Sequence, residues 1–231
     1  MFSLALLFYF GLFFAQKINL TTADLGRHIT NGKVFLTQGK VVSTNFYSYT
    51  QTDFPTVTHH WFSGVIFYLV EKVSSFTGLS LFYVIISGLT ALLFLKTAQV
   101  KSNFGIALFF TLIFIPLLAD RKEIRPEGFS YLFMGLYYYL LILYKQKKIG
   151  FRQLFPAILI TQLLWVNIHL FFVMGIFVIG IFVTKDLVEH LLYKKKNQLK
   201  ELALLLTLTV LISLANPYGI YGLLEPFNIL K

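Results

Sequence analysis

The feature that most constrains this chain is a series of long apolar runs separated by short polar stretches. The runs, none of which contains Asp, Glu, Lys or Arg, cover residues 2–15, 79–95, 104–119, 129–144, 154–183 and 202–215. Hydrophobic residues make up 57% of the 231 residues and charged residues 13%, whereas soluble domains carry about 25% charged residues. A water-soluble globule of this length cannot bury so much apolar surface. The sequence therefore predicts an integral membrane protein.

Composition also excludes several functional classes. The chain has no cysteine, which rules out a disulfide scaffold, thiol catalysis and cysteine metal sites. Its hydrophobicity excludes an intrinsically disordered protein. The formal net charge of +10 would favour nucleic acid in a soluble protein, but basic loops also set membrane topology and attract anionic lipids. We expect the lipid bilayer, and no nucleic acid, as a partner.

The run 154–183 decides the topology. It is too long for one span, which needs about 20 residues, and its interior contains Asn167 and His169. Burying an amide and an imidazole in hydrocarbon is costly unless they are paired or hydrated. Lysine-rich stretches flank the run on both sides, as expected for cytoplasmic loops. The run is predicted to cross the membrane, turn near residues 166–169 and return.

With the amino terminus inside, the apolar runs give about seven spans, and the denser Lys and Arg clusters fall in the inside loops. The short apolar stretch 61–70 is predicted to form an interfacial helix in the first outer loop. The first run is predicted to be retained as a helix, because it has neither a basic n-region nor a small-residue cleavage site. The predicted fold is an all-α, polytopic transmembrane bundle, with residues 1–231 forming a single domain of a longer protein.

This topology places the polar residues with useful chemistry on one face. The residues predicted on the outer side are Asp24, His28, His59, His60, Arg121, Glu123, Arg125, Glu127, Asn167, His169 and Asn216. Residues that only cap helices would be distributed over both faces. The non-cytoplasmic face is therefore the candidate active face.

Asp24 and His28 are four residues apart, so on a helix they share one face and can hydrogen-bond. Thr21 or Thr22 is a plausible N-cap, which would place Asp24 at the positive end of the helix dipole. An anionic aspartate held there is a good proton acceptor. The alternative is an ordinary capping carboxylate with a surface histidine.

His59 and His60, with His28 and Asp24, are residue types that bind divalent cations. Adjacent histidines rarely both face one ion, so a divalent cation is a possible cofactor but none is certain. Hydrogen bonding to a phosphate or a sugar hydroxyl is the preferred interpretation.

A densely charged loop, residues 120–127, lies between two predicted spans. Arg121 and Arg125 offer planar guanidinium groups that match phosphate oxygens, and Pro126 suits the first turn of the next helix. The alternative is a solvated turn between helices. Asn167 and His169 could face a water-filled cavity, which would hydrate them within the apolar run. The alternative is that they form an ordinary helix-hairpin turn at the level of the lipid headgroups.

Several motifs, taken together and in order, resemble those of the bacterial polytopic GT-C glycosyltransferase superfamily, related to the dolichyl-phosphate-mannose-dependent type. The motifs are Asp24-x-x-x-His28-Ile29-x-x-Gly32, Phe46-Tyr47-Ser48-Tyr49-Thr50, His59-x-Trp61, Arg125-Pro126-Glu127-Gly128-Phe129-Ser130-Tyr131, Trp165-Val166-Asn167-Ile168-His169 and Asn216-Pro217-Tyr218-Gly219. Each alone is weak, but together they extend over most of the chain.

The resemblance implies a multi-pass enzyme of the inner (plasma) membrane. It would transfer a sugar from a polyprenyl-phosphate-linked donor to a glycan, lipid or protein acceptor on the non-cytoplasmic face. Asp24 matches the family's catalytic base. From the chemistry of the guanidinium group, we expect Arg125, helped by Arg121, to stabilise the departing phosphate. The other residues implied in substrate binding are His28, His59, His60, Glu127, Asn167 and His169. The chain would form the amino-terminal part of a longer GT-C-like module.

A different class of function uses the same polar cluster only for binding. A membrane transporter, or a noncatalytic assembly subunit for lipid-linked glycans, would fit that description. Transporters usually carry ionisable residues near the bilayer midplane and often contain inverted repeats, and neither feature is visible in this sequence. We therefore expect the enzyme.

Overall fold

The structure, a computed structural model, describes residues 2–15, 18, 24–119, 123–194 and 197–229. These residues form nine helices and no strand, apart from one isolated bridge between Thr44 and Pro55. The helices are α1 (Phe2–Phe14), α2 (Leu25–Gln38), α3 (Trp61–Gln99), α4 (Phe104–Leu118), α5 (Glu127–Lys145), α6 (Phe151–Ile168), α7 (Phe172–Tyr193), α8 (Leu199–Ile212) and α9 (Ile220–Asn228). The prediction of an all-α chain is confirmed.

Two described helices, α3 and α6, are long and apolar enough to cross a membrane. Helix α4 is shorter, contains no charged residue and exposes large apolar side chains. Phe109, Phe110 and Phe114 are each more than half exposed. Contiguous apolar surface of this kind marks contact with lipid or another protein rather than with water.

The long apolar run is divided into α6 and α7, as predicted, but the turn lies at residues 169–171. Helix α6 continues through Asn167 because the side-chain amide is satisfied without leaving the helix. Its Nδ2 donates to the carbonyl oxygens of Leu163 and Ala215, both at 2.9 Å. The helix ends only at His169, which has an extended backbone.

The stretch 61–70 is helical, as predicted, and its interfacial position stays a prediction. It is the first part of α3, which is interrupted at Ser75, where φ is 58° and ψ is −170°. This conformation is normally occupied by glycine. The break divides α3 into a first arm, residues 61–74, and a second arm, residues 76–99. The predicted span, which was placed at 79–95, lies within the second arm.

The chain divides into two compact units. The first comprises Met1–Val42 and His60–Gly135, and the second comprises Ser43–His59 and Leu136–Lys231. Helix α5 contributes its first half to one unit and its second half to the other. The assignment of residues 1–231 to a single domain stays a prediction.

In the first unit, α1 packs against the second arm of α3 and against α4. The shared core consists of Phe10 and Phe14 from α1, Ala91 from α3, Ile115 from α4 and Ala119. The rings of Phe10 and Phe14 are stacked with their centroids 4.3 Å apart. The aromatic side chains of α1 therefore pack against Ala91 of α3 and against Ile115 and Ala119 at the end of α4.

Helix α2 lies against the first arm of α3 through two glycines. A Cβ added at Gly32 would lie 2.1 Å from the carbonyl oxygen of Gly64, and one added at Gly64 would lie 2.5 Å from the carbonyl oxygen of His28. The two backbones are thus in direct contact, which only glycine permits. Helix α2 ends at Gly39, whose φ of 68° is typical of a glycine C-cap.

This contact predicts that two glycine-to-alanine substitutions in α2 differ strongly in their effect on the stability of the protein. Gly32→Ala should destabilise the protein by about 1–3 kcal/mol, because the new methyl group overlaps backbone atoms. Gly26→Ala is the matched control, since nothing lies within 4 Å of its Cβ position. Thermal unfolding in mild detergent measures both, and equal stability of the two variants would contradict the contact.

The second unit has a buried polar network that joins α5, α6 and α8. The Tyr137 hydroxyl donates to Gln162 Oε1 at 2.6 Å, and Gln162 Nε2 donates to Ser213 Oγ at 2.8 Å. Ser213 Oγ in turn donates to the carbonyl oxygen of Thr209 at 2.8 Å. Each of these side chains finds its partner inside the unit, so the network does not carry the cost of unpaired polar groups.

Candidate functional site

Asp24 occupies the N-cap position of α2, but its carboxylate does not cap the helix. Its backbone is left-handed, with φ 53°, and no capping hydrogen bond is made by the side chain. Asp24 Oδ2 instead accepts from Arg27 Nη2 at 2.9 Å, and 68% of the Asp24 side chain is exposed. The alternative of an ordinary capping carboxylate is therefore wrong. The carboxylate is held at the positive end of the helix and remains accessible.

His28 lies one helical turn beyond Asp24 and is only 5% exposed, so the alternative of a surface histidine is also wrong. The expected Asp24–His28 side-chain hydrogen bond is replaced by the Asp24–Arg27 ion pair. The His28 ring packs edge-on against His60, with centroids 4.5 Å apart. His60 directly precedes α3, so the contact between α2 and α3 brings the two imidazoles together.

Arg125 and Glu127 lie at the start of α5. Arg125 Nη1 is 3.9 Å from Glu127 Oε1, and both side chains are partly buried. Together with Glu123, Tyr83 and Tyr131, they line a small cavity. Pro126 directly precedes the first residue of α5, so it lies just outside the first turn in which it was expected. The arrangement presents a guanidinium group among carboxylates and hydroxyls near a helix N-terminus.

Aromatic rings connect the histidine pair to the arginine cavity within the first unit. Phe67 of α3 lies 6.2 Å from the His28 ring and 5.9 Å from the Phe129 ring, centroid to centroid. The neighbouring Gly128 packs directly against the Tyr83 ring, which lines the cavity. The first unit thus contains Asp24, the His28–His60 pair, Arg125 and Glu127, and its aromatic core contacts the histidine pair and the wall of the cavity.

The remaining described site candidates belong to the second unit. His59 is partly buried, and Asn167 bonds to backbone carbonyls as described above. His169 is the C-cap of α6, and its Nδ1 accepts from the backbone N–H of Phe171 at 3.4 Å. Asn216 holds the following turn through its own amide. Substrate contacts for His59, Asn167 and His169 stay predictions.

Three predicted residues, Arg121, Thr21 and Thr22, lie outside the described residues. In the parts of the chain that are described, no group of three or more His, Asp or Glu side chains is arranged to hold a metal ion.

The structure also contains a buried charged cluster that the sequence did not predict, in the second unit. Lys145 Nζ donates to Asp186 Oδ1 at 2.6 Å and to Gln198 Oε1 at 2.7 Å. Asp186 is completely buried, and its Oδ2 has no hydrogen-bond partner among the residues that the structure describes. The available signal was helical periodicity, because Asp186 lies on the same face of α7 as the buried Phe172 and Ile179.

Two further contacts tighten this charged cluster. The Asn197 side chain donates to the backbone carbonyl of Asp186, and the Tyr144 hydroxyl donates to the Glu201 carboxylate. The carboxyl ends of α5 and α7 and the amino end of α8 are therefore linked by charged and amide groups.

Comparisons of the chain with protein families, with curated proteins and with solved structures gave no match.

Proposed function

We propose that this protein is a membrane glycosyltransferase that transfers a sugar from a polyprenyl-phosphate-linked donor to an acceptor hydroxyl. The observation that carries the proposal is the exposed carboxylate of Asp24, one helical turn from the buried His28, whose ring contacts His60. The same compact unit contains the Arg125 guanidinium, the type of group that binds a phosphate. The sequence motifs that resemble GT-C glycosyltransferases include these residues.

In the proposed step, Asp24 accepts the proton of the acceptor hydroxyl while that oxygen bonds to the anomeric carbon of the sugar. The bond between the anomeric carbon and the phosphate oxygen breaks, and its electron pair leaves with the lipid phosphate. Arg125, assisted by Arg121, stabilises the negative charge of this leaving group. His28 and His60 position the acceptor, and Asp24 acts as general base.

The proposed location is the inner (plasma) membrane, with about seven spans and the site on the non-cytoplasmic face. The apolar helices α3 and α6 and the exposed aromatic face of α4 support a membrane location. The greater density of Lys and Arg in the proposed inside loops supports the orientation.

The test is transfer of radiolabelled sugar from a polyprenyl-phosphate donor by membranes containing the full-length protein. Transfer above that of control membranes is expected. Uptake of labelled solute without transfer would instead favour a transporter, and binding of the donor with neither activity would favour a noncatalytic assembly subunit. Both results would overturn the proposal.

Replacing Arg125 tests the phosphate role. Arg125→Gln should lower transfer on the order of 100-fold, because a charged donor to the leaving group is lost. Arg125→Lys should recover only part of the rate, since lysine keeps the charge but not the planar fork. Arg152→Gln removes an exposed arginine at the start of α6 and serves as the control. Equal rates for Arg125→Gln and Arg152→Gln would contradict the assignment.

A further inference from the structure

An apolar groove lies in the first unit between the second arm of α3 and α4. Its volume is about 500 Å³, within the range of ~300–1,000 Å³ that is typical of ligand sites. Ala91, Ala98 and Ala107 leave the space open, and Phe94, Phe110 and Phe114 form the larger walls. The small side chains of both helices therefore create the groove.

The groove lining favours an apolar occupant. The lining is almost entirely hydrocarbon, with Ser102 and Thr111 as the polar contributors. Water gains too few hydrogen bonds in such a space to occupy it stably. The walls belong to α3, which is apolar enough to cross a bilayer, and to the exposed aromatic face of α4. A lipid acyl chain matches these properties.

One end of the groove carries positive charge. Ser102, which lines it, follows the exposed Lys101. No Asp or Glu occurs between residues 73 and 119, so no nearby carboxylate in the sequence neutralises Lys101. Helix α4 begins at Phe104, three residues after Lys101, and is capped by Asn103. Its N-terminus adds the positive end of a helix dipole.

We infer that this groove binds an anionic phospholipid, with one acyl chain between α3 and α4 and the headgroup phosphate at Lys101. Lysine near an anionic headgroup and an apolar channel for the chain are the two elements of lipid recognition. In the proposed topology this end of α3 faces the cytoplasm, whereas Asp24 and Arg125 face the other side. The inference rests on the proposed membrane location but not on sugar transfer, and it describes a site separate from the donor site.

The experiment is native mass spectrometry of the full-length protein in mild detergent. The protein is incubated with equal amounts of phosphatidylglycerol and phosphatidylcholine that have identical acyl chains. Phosphatidylglycerol should be retained preferentially. Ala98→Phe, which fills the groove, should lower retention of both lipids about tenfold. Lys101→Gln should lower the preference for phosphatidylglycerol about fivefold, because one basic residue near the headgroup is lost.

Matched controls separate these effects from general damage. Ile85→Phe adds an aromatic ring elsewhere on α3, at a residue that is 59% exposed, and Lys148→Gln removes another exposed lysine. Both should bind lipid like the unmodified protein. Equal lipid retention by Ala98→Phe and Ile85→Phe would overturn the inference, and so would an unchanged lipid preference in Lys101→Gln.

Two other occupants give different results. Displacement of phosphatidylglycerol by stoichiometric polyprenyl phosphate would assign the groove to the donor chain. Conversion of a dimer to a monomer by Ala98→Phe, with unchanged lipid retention, would assign it to a second copy of the protein. Either result overturns the phospholipid assignment. Lipid retention is measured without the transfer reaction, so failure of the glycosyltransferase proposal would not be confused with failure of this one.

Discussion

Asp24→Asn is expected to lower sugar transfer by about 10²–10⁴-fold, the usual contribution of a positioned general base. The amide has nearly the same shape as the carboxylate but cannot accept the proton at neutral pH. Stability should be unchanged, because the exposed Asp24–Arg27 pair contributes only about 0–1 kcal/mol. The measurement is the initial rate of transfer at saturating donor, with thermal unfolding of the same preparation.

Two control variants define what the Asp24 experiment shows. Asp53→Asn removes another exposed carboxylate from the same loop region and should transfer at the normal rate. Arg27→Gln breaks the ion pair while keeping the Asp24 carboxylate, so transfer should continue. An Asp24→Asn protein that is folded and transfers at the normal rate would exclude Asp24 as the base.

Lys145→Met should cost about 3–5 kcal/mol of unfolding free energy, because it leaves a buried carboxylate without its counter-charge. Asp186 is fully buried, whereas 18% of the Lys145 side chain is exposed. Asp186→Asn should therefore be less damaging, since the remaining lysine can reach water. Denaturant unfolding in detergent micelles measures both variants.

The double variant Lys145→Met/Asp186→Leu should recover most of the lost stability, because it removes both charges together. Lys148→Met replaces an exposed lysine three residues away and should change stability by no more than about 0.5 kcal/mol. If Lys145→Met is as stable as Lys148→Met, the buried ion pair is not formed in the protein.

The sequence predicted those features that depend on local chemistry. The apolar runs predicted the helices, and the polar Asn167 and His169 predicted that residues 154–183 would turn. Asp24 was predicted at the start of a helix capped by Thr21 or Thr22, and it does lie at a helix start, but it is itself the N-cap residue of α2. The turn is later than predicted because Asn167 obtains an acceptor from Ala215, 48 residues away in the chain, which no local pattern reveals.

Contacts between distant segments account for what the sequence did not reveal. Gly32 and Gly64 look like ordinary helical glycines until their helices are brought together. The break in α3 falls at Ser75, which is neither glycine nor proline, so no standard helix stop signal marks it. His28 was expected to pair with Asp24, but its burial against His60 depends on the packing of α2 on α3.

The glycine contact also determines which movements are available near Asp24. Since the backbones of α2 and the first arm of α3 touch, sliding one along the other would force backbone atoms into overlap. The interruption at Ser75 is the nearest place in α3 where the helical backbone is already broken. We therefore expect α2 and residues 61–74 to move together as one rigid body that carries Asp24, His28 and His60.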